Sequence, residues 1–138
     1  MIDIDRLISE NDYLSIFKWG EPLIVNHTFG HPKPNFNVDF NEGVYIYINQ
    51  KQQFLYVGES ERLEGRLNDH YKELKGTPSL LKKYKDYCDF FQEYQDENMV
   101  IITTQLKEKK QRTYAEEYIK IHLQPEFINF RFNKFFNF

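Results

Sequence analysis

Cysteine is nearly missing from this chain of 138 residues: Cys88 stands alone, beside one tryptophan, two methionines, five prolines and six glycines. A single thiol excludes an internal disulfide and a cysteine-based zinc site. Long apolar runs are missing too. None approaches the ~20 residues that span a bilayer, mean hydropathy is −0.69, and no membrane partner is expected. The opening MIDIDRLISEND is acidic and polar, unlike a secretory signal, so a cytoplasmic protein is expected. Excess positive charge is also lacking. Net charge is −3 and the pI near 5.8, which taken whole argues against a nucleic-acid binder, since these usually carry a basic surface.

Aromatic residues are abundant, with 13 Phe and 10 Tyr. Hydrophobic residues make 41% and charged residues 28%, the usage of a chain that buries a core and not of a disordered one. The length fits one domain, 1–138. Charge is unevenly spread: −4 over 1–42, +2 over 43–86, −4 over 87–104 and +3 over 105–138. A phosphate-facing surface should draw on the second and fourth of these segments.

Ile4, Leu7, Ile8 and Leu14 recur at helical spacing and predict a helix over 3–17. WGEPLIV reads as a turn and short strand, and 26–42, mixed in Gly, Pro and Asn, as a long ordered loop. The runs 43–49 and 54–57 flank the polar link Gln50 to Gln53, a hairpin signal. Ser60 is the predicted cap of a following helix, with Glu61 in its first turn, Leu63, Leu67, Tyr71 and Leu74 as its apolar stripe, and a stop at Gly76. A helix over 79–95 should turn Leu80, Leu81, Tyr84, Tyr87, Cys88 and Phe91 inward. Residues 99–106 read as a strand and 112–123 as a helix closed by Pro125. The tail FINFRFNKFFNF reads as a final strand packed against the protein's own sheet, with an interface and a surface that stacks on bases as the alternatives. The order predicts an α+β fold: a small, mainly antiparallel three-stranded sheet flanked by helices.

Three groups could carry chemistry. Arg62, Arg66 and His70 are spaced i, i+4, i+8 and share a stripe bordering the apolar one, at the rim of the helix–sheet packing. Arginine there could clamp a phosphate with two parallel hydrogen bonds, or pair with Glu59, Glu61 or Asp69. In TYAEEYIKIHL, Glu116 lies about 20° from Leu123 at the edge of the apolar face, while Glu117 points away, near Lys120. A carboxylate in Glu116's position needs a partner, a metal ion or a cation of the protein itself. Tyr45 and Tyr47 share one face of their strand, opposite Ile46 and Ile48; cross-strand packing is the simplest role for them and for Tyr56.

Order and spacing add specificity. Gly43-Val44-Tyr45, ten residues, then Tyr56-Val57-Gly58 resembles the two-part signature of the GIY-YIG nuclease superfamily. YVGESERLEGR matches its YxG-x7-R with Arg66, and His70 matches a histidine of some branches. EEYIKIHLQPEFIN resembles its metal-binding segment, with Glu116 nine residues before Pro125 and Asn129 one position later than in the compared branch. The resemblance spans 43–129, leaving 1–42 as an N-terminal extension and 130–138 as an aromatic tail. It implies an endonuclease hydrolysing phosphodiester bonds in DNA with one Mg²⁺ or Mn²⁺. Glu116 would hold the metal and Arg66 the scissile phosphate. Tyr45 would take a proton from the attacking water, assisted or replaced by His70, and Tyr56 would orient water or phosphate. Arg62 and Gly58 would lie along the substrate, while Gly43 would set a turn and Asn129 bond the backbone. A phenol with its ordinary pKa near 10 must be perturbed by nearby cations to act as a base near neutrality. Restriction-type relatives oligomerise, so a homo-oligomer is an open expectation. Glu59-Ser60 departs from the pattern, and Glu59 would repel a phosphate unless it points away. A binding module with little turnover, and a nuclease for branched DNA or RNA, remain alternatives.

Overall fold

The computed structural model describes residues 3–26, 36–74, 84–94 and 98–136. The elements, in chain order, are α1 (Ile4–Ser9), β1 (Leu23–Asn26), β2 (Gly43–Asn49), β3 (Phe54–Ser60), α2 (Leu63–Leu74), α3 (Lys85–Gln92), β4 (Asn98–Thr103), α4 (Lys109–Leu123) and α5 (Glu126–Phe136). The class is α+β, as expected, but the sheet has four strands in the order β1-β4-β2-β3, all antiparallel. The additional strand is β1, the LIV segment, which pairs with β4 from Leu23↔Ile101 to Asn26↔Asn98.

Strand β2 sits in the middle and is buried along its whole length. Its alternation sorts two cores. One face carries Tyr45 and Tyr47 with Tyr56, Met99 and Ile101, covered by Leu63 and Leu67 of α2, Phe90 and Phe91 of α3 and Phe127 of α5. The other carries Val44, Ile46, Ile48, Val57, Val100 and Ile102, covered by Ile4, Leu14 and the α4 residues Ala115 and Ile119. Both faces are dry, so β2 needs apolar or aromatic side chains at every position, which is why GVYIYIN reads as an unbroken run. The hairpin link is closed by Asn49, whose side-chain oxygen accepts from the N–H groups of Lys51 and Gln53; Gln52 takes a left-handed φ of 62°. The register shifts after Tyr47↔Tyr56, so Leu55 is buried on the tyrosine face beside Tyr56.

Several sequence expectations are corrected. The first helix ends at Ser9 and not near residue 17. Asn11 accepts hydrogen bonds from the N–H groups of Tyr13 and Leu14, a local side-chain turn that competes with helix continuation. Ser60 stays in β3; its Oγ does accept from the N–H of Arg62, but α2 begins only at Leu63, with Glu64 in its first turn and Glu61 outside it. Leu80, Leu81 and Gly76 lie outside the described residues, as does most of the 26–42 loop; Phe36, at its described end, is buried against Tyr71. The tail is a helix, not a strand. Gln124, at φ 50°, ends α4, and α5 starts directly after Pro125. Phe127 and Phe130, three apart, then meet Phe90 of α3 at 5.2 and 5.5 Å between ring centroids. The same phenylalanines fit a period of two over a few residues, so the short run misleads. Among the described residues no helix is long and apolar enough to cross a membrane.

Candidate active site

The tyrosine face of the sheet and helix α2 enclose a buried polar pair. Tyr45 (1% exposed) and His70 (1% exposed) are joined by a 2.7 Å hydrogen bond between Oη and Nε2. The bond follows from placement: β2 points Tyr45 up toward α2, and His70 is the inward position of the second turn after Leu63. Rings of Tyr56, Phe91 and Tyr47 surround the imidazole at 4.9, 5.1 and 5.6 Å. Gly58 faces Tyr45 across the hairpin. A Cβ there would stand 2.4 Å from the Tyr45 hydroxyl, so the bare backbone lets the phenol cross the neighbouring strand.

Arg66 lies one turn before His70, half-buried, with its guanidinium 5.7 Å from the Tyr87 ring centroid. Burial pushes the Tyr45 hydroxyl well above the ordinary range of a phenol; the charge and hydrogen bonding of Arg66 draw it back only in part. Tyr56 is raised as well, by burial first and then by the neighbouring Tyr45 and Tyr87. Removal from water thus outweighs the one arginine beside it. With its pKa raised, Tyr45 stays protonated near pH 7, and the tautomer of His70 sets the direction of the hydrogen bond between Oη and Nε2.

Glu116 is at the edge of the buried face of α4, its side chain 18% exposed, in a 2.8 Å ion pair with Lys120. The sequence reading put Lys120 beside Glu117; four residues along a helix is the closer neighbour, and Glu117 is exposed. Lys120 in turn lines a groove with Tyr56 and Tyr87, which ties Glu116 to the region of the tyrosines. Among the described residues no group of three His, Cys, Asp or Glu could cage a metal ion. A lone half-buried carboxylate nonetheless suits Mg²⁺, which keeps most of its waters and often takes only one or two protein carboxylates.

The remaining candidates are dispersed. Arg62 precedes α2 and is exposed, so the three-residue stripe is broken at its first member. Gly43 sets no turn: it is the first residue of β2, and a Cβ there would stand 1.9 Å from the Thr104 carbonyl oxygen. Asn129 is exposed on α5. Glu59 points to the α4 side, where its carboxylate takes 3.0 and 3.1 Å hydrogen bonds from Arg112 and Lys109. Its feared repulsion of a phosphate on the tyrosine face is thereby removed. Sequence reasoning turned Tyr87 inward but did not place it, or Phe127, against Tyr56, where they pack from α3 and α5; the contact joins segments distant in sequence, and no local pattern marks it.

No curated protein and no solved structure matches the chain. The sequence model of the GIY-YIG catalytic domain matches residues 41–130, well over half of its length and the whole span from β2 to the middle of α5. The chain belongs to the GIY-YIG family, and its fold is that of a nuclease domain.

Proposed function

We propose that this protein is a metal-dependent endonuclease that hydrolyses phosphodiester bonds in DNA. The observation that carries the reading is the 2.7 Å Tyr45–His70 hydrogen bond with Arg66 one turn away, in a chain of this family. The attacking water gives a proton to Tyr45 Oη as the Tyr45 proton passes to His70 Nε2, the tautomer being the one in which Nε2 accepts. The hydroxide oxygen bonds to phosphorus, the P–O bond to the leaving strand breaks, and the leaving oxygen takes a proton from solvent. A relay of this kind suits a phenol that burial keeps protonated, because no free phenolate has to form. Arg66 holds two phosphate oxygens with its planar fork and offsets the charge that builds on them. Tyr56 orients the nucleophile or the phosphate. Both members of the dyad are only 1% exposed, so substrate binding must move side chains at the rim, of which Arg66 is the nearest charged one. Glu116 would hold a single Mg²⁺ or Mn²⁺ once Lys120 is displaced; such an ion supplies charge neutralisation at the phosphate.

The test is cleavage of supercoiled plasmid by wild type and Glu116→Ala in Mg²⁺, Mn²⁺ or EDTA. Nicking or linearisation by the wild type, lost in EDTA and in the variant but kept in Glu117→Ala, is expected. Activity that survives both EDTA and Glu116→Ala would overturn the reading. The net charge of −3 favours a second reading, a nucleic-acid- or protein-binding module with little turnover. Binding of DNA that weakens with salt, at a slope of about −0.9 per neutralised phosphate, without cleavage of duplex, branched DNA or RNA, would select it.

A further inference from the structure

Helix α5 leaves a groove beside Tyr56 that the chemistry above does not use. Phe127 forms its floor, T-shaped on Tyr56 at 5.2 Å and stacked on Tyr87 at 5.0 Å between centroids. Beyond it, Phe132, Phe135 and Phe136 are 52, 66 and 60% exposed. The groove measures about 410 Å³, within the ~300–1,000 Å³ of sites for small organic groups. Cations interrupt the rings. Arg131 lies 5.8 Å from the Phe127 centroid and 5.7 Å from that of Phe135, and Lys120 of α4 also lines the groove. Lys134 is turned away to Asp86 and Asp89 of α3 and anchors the helix; Arg131 approaches Asp86 only at 3.9 Å.

We propose that this groove takes an unpaired nucleobase of the strand being cut, stacked on Phe132 and Phe135 beside Arg131, with its adjoining phosphate near Lys120. The inference rests on the nuclease reading and narrows its substrate to nucleic acid with an unpaired nucleotide next to the reacting phosphate. Continuity is the first argument: Tyr56 belongs both to the groove and to the buried cluster, so an occupant lies beside the reaction. Charge is the second. Aromatic faces interleaved with arginine and lysine match a polyanion that carries flat rings, whereas an apolar partner would have to desolvate both cations. Base faces are hidden within a duplex and available where pairing is broken, so the groove discriminates by strand structure and not by sequence.

The experiment uses 2-aminopurine in the single-stranded flap of a DNA duplex, with the full chain in EDTA. Stacking should quench its fluorescence saturably. Phe132→Ala/Phe135→Ala and the bulkier Phe132→Leu/Phe135→Leu, which keeps apolar volume but has no ring, should both abolish the quench and weaken flap binding about 10-fold or more. Tyr114→Ala, which removes a 76% exposed ring on α4, should leave it unchanged. A quench that persists in the leucine pair, or wild-type binding without a quench, overturns the proposal. Light scattering covers the other occupant: a wild-type dimer that the leucine pair turns into monomers, with flap binding unaltered, would make the groove a subunit interface and also overturn it. Plasmid and flap cleavage in Mg²⁺ separates the two levels. Cleavage without a quench removes the groove proposal alone; a ring-dependent quench without cleavage of any substrate removes the nuclease reading alone.

Discussion

Gly58 and Tyr45 are the pair on which the site's geometry turns. A methyl group at Gly58 would overlap both the hydroxyl and the Cζ of Tyr45, at 2.4 and 2.5 Å; a ring boxed by His70 and Tyr56 cannot yield cheaply, so the edge strand β3 must shift and strain its pairing with β2. Gly58→Ala should therefore destabilise the fold by about 1–3 kcal/mol, the range for overpacked cores. Tyr45→Leu in the same chain should recover part of that, and a double-mutant cycle by urea unfolding reads the coupling; strictly additive effects would mean the ring relocates freely. Tyr45→Phe keeps the ring and removes the proton relay. Cleavage should fall roughly 10²- to 10⁴-fold, while stability drops by no more than about 1.5 kcal/mol. Arg66→Lys should fail almost as badly in the plasmid assay, because an ammonium cannot form the planar fork.

At the scale of elements, α5 and the β3–α4 contact decide how the site is held. The inner side of α5 carries Phe127, 7% exposed and packed on Tyr56, Tyr87 and Phe90. Phe127→Ala should cost about 3–5 kcal/mol, and Phe135→Ala, on the outer side, well under 1 kcal/mol. Urea midpoints that ranked the two in the opposite order would contradict the helix orientation. On the other face Arg112, 3% exposed, donates to Glu59 and to the carbonyls of Leu106 and Lys107. It thus joins β3, the β4–α4 connection and α4 at one point. Arg112→Met should lower stability by about 1–3 kcal/mol, since it leaves the Glu59 carboxylate, whose side chain is only 16% exposed, with Lys109 as its remaining cation, and leaves the Leu106 and Lys107 carbonyls without their donor.

For the whole molecule, these groups set limits on stability against pH. Burial raises Tyr45 and Tyr56 in the folded state above the ordinary value of 10.0. A raised folded-state pKa means the native chain holds its proton more tightly than the unfolded chain. That stabilisation is complete below about pH 10 and is lost as pH climbs beyond it. Glu59 behaves oppositely. Burial alone would raise it, but hydrogen bonds and charge from Arg112 and Lys109 outweigh burial and hold it below 4.5. Its contribution is present above that value and fades as pH falls through the folded pKa. Urea midpoints should accordingly form a plateau with an acid and an alkaline limb. Glu59→Gln should shallow the first and Tyr45→Phe the second; a wild-type alkaline limb unchanged in Tyr45→Phe would show that Tyr45 is ionised no later in the folded chain than in the unfolded one.

By itself the sequence determined the family and which faces of their elements the candidate residues occupy. Period-two alternation placed Tyr45 and Tyr47 opposite Ile46 and Ile48, helical spacing placed Arg66 and His70 one turn apart, and wheel angles put Glu116, not Glu117, at the edge of a buried face. These are local relations, fixed by strand and helix geometry once the element type is known. Only the tertiary structure decided the rest. It added β1 to the sheet, turned the Phe-rich tail into a helix against α3, sent Glu59 to Arg112, gave Lys120 to Glu116 and sealed Tyr45 from water so that burial, not the nearby arginine, governs its proton. Each of those depends on which distant segments share a face, and on how much water their packing expels. Neither is written in the spacing of neighbouring residues.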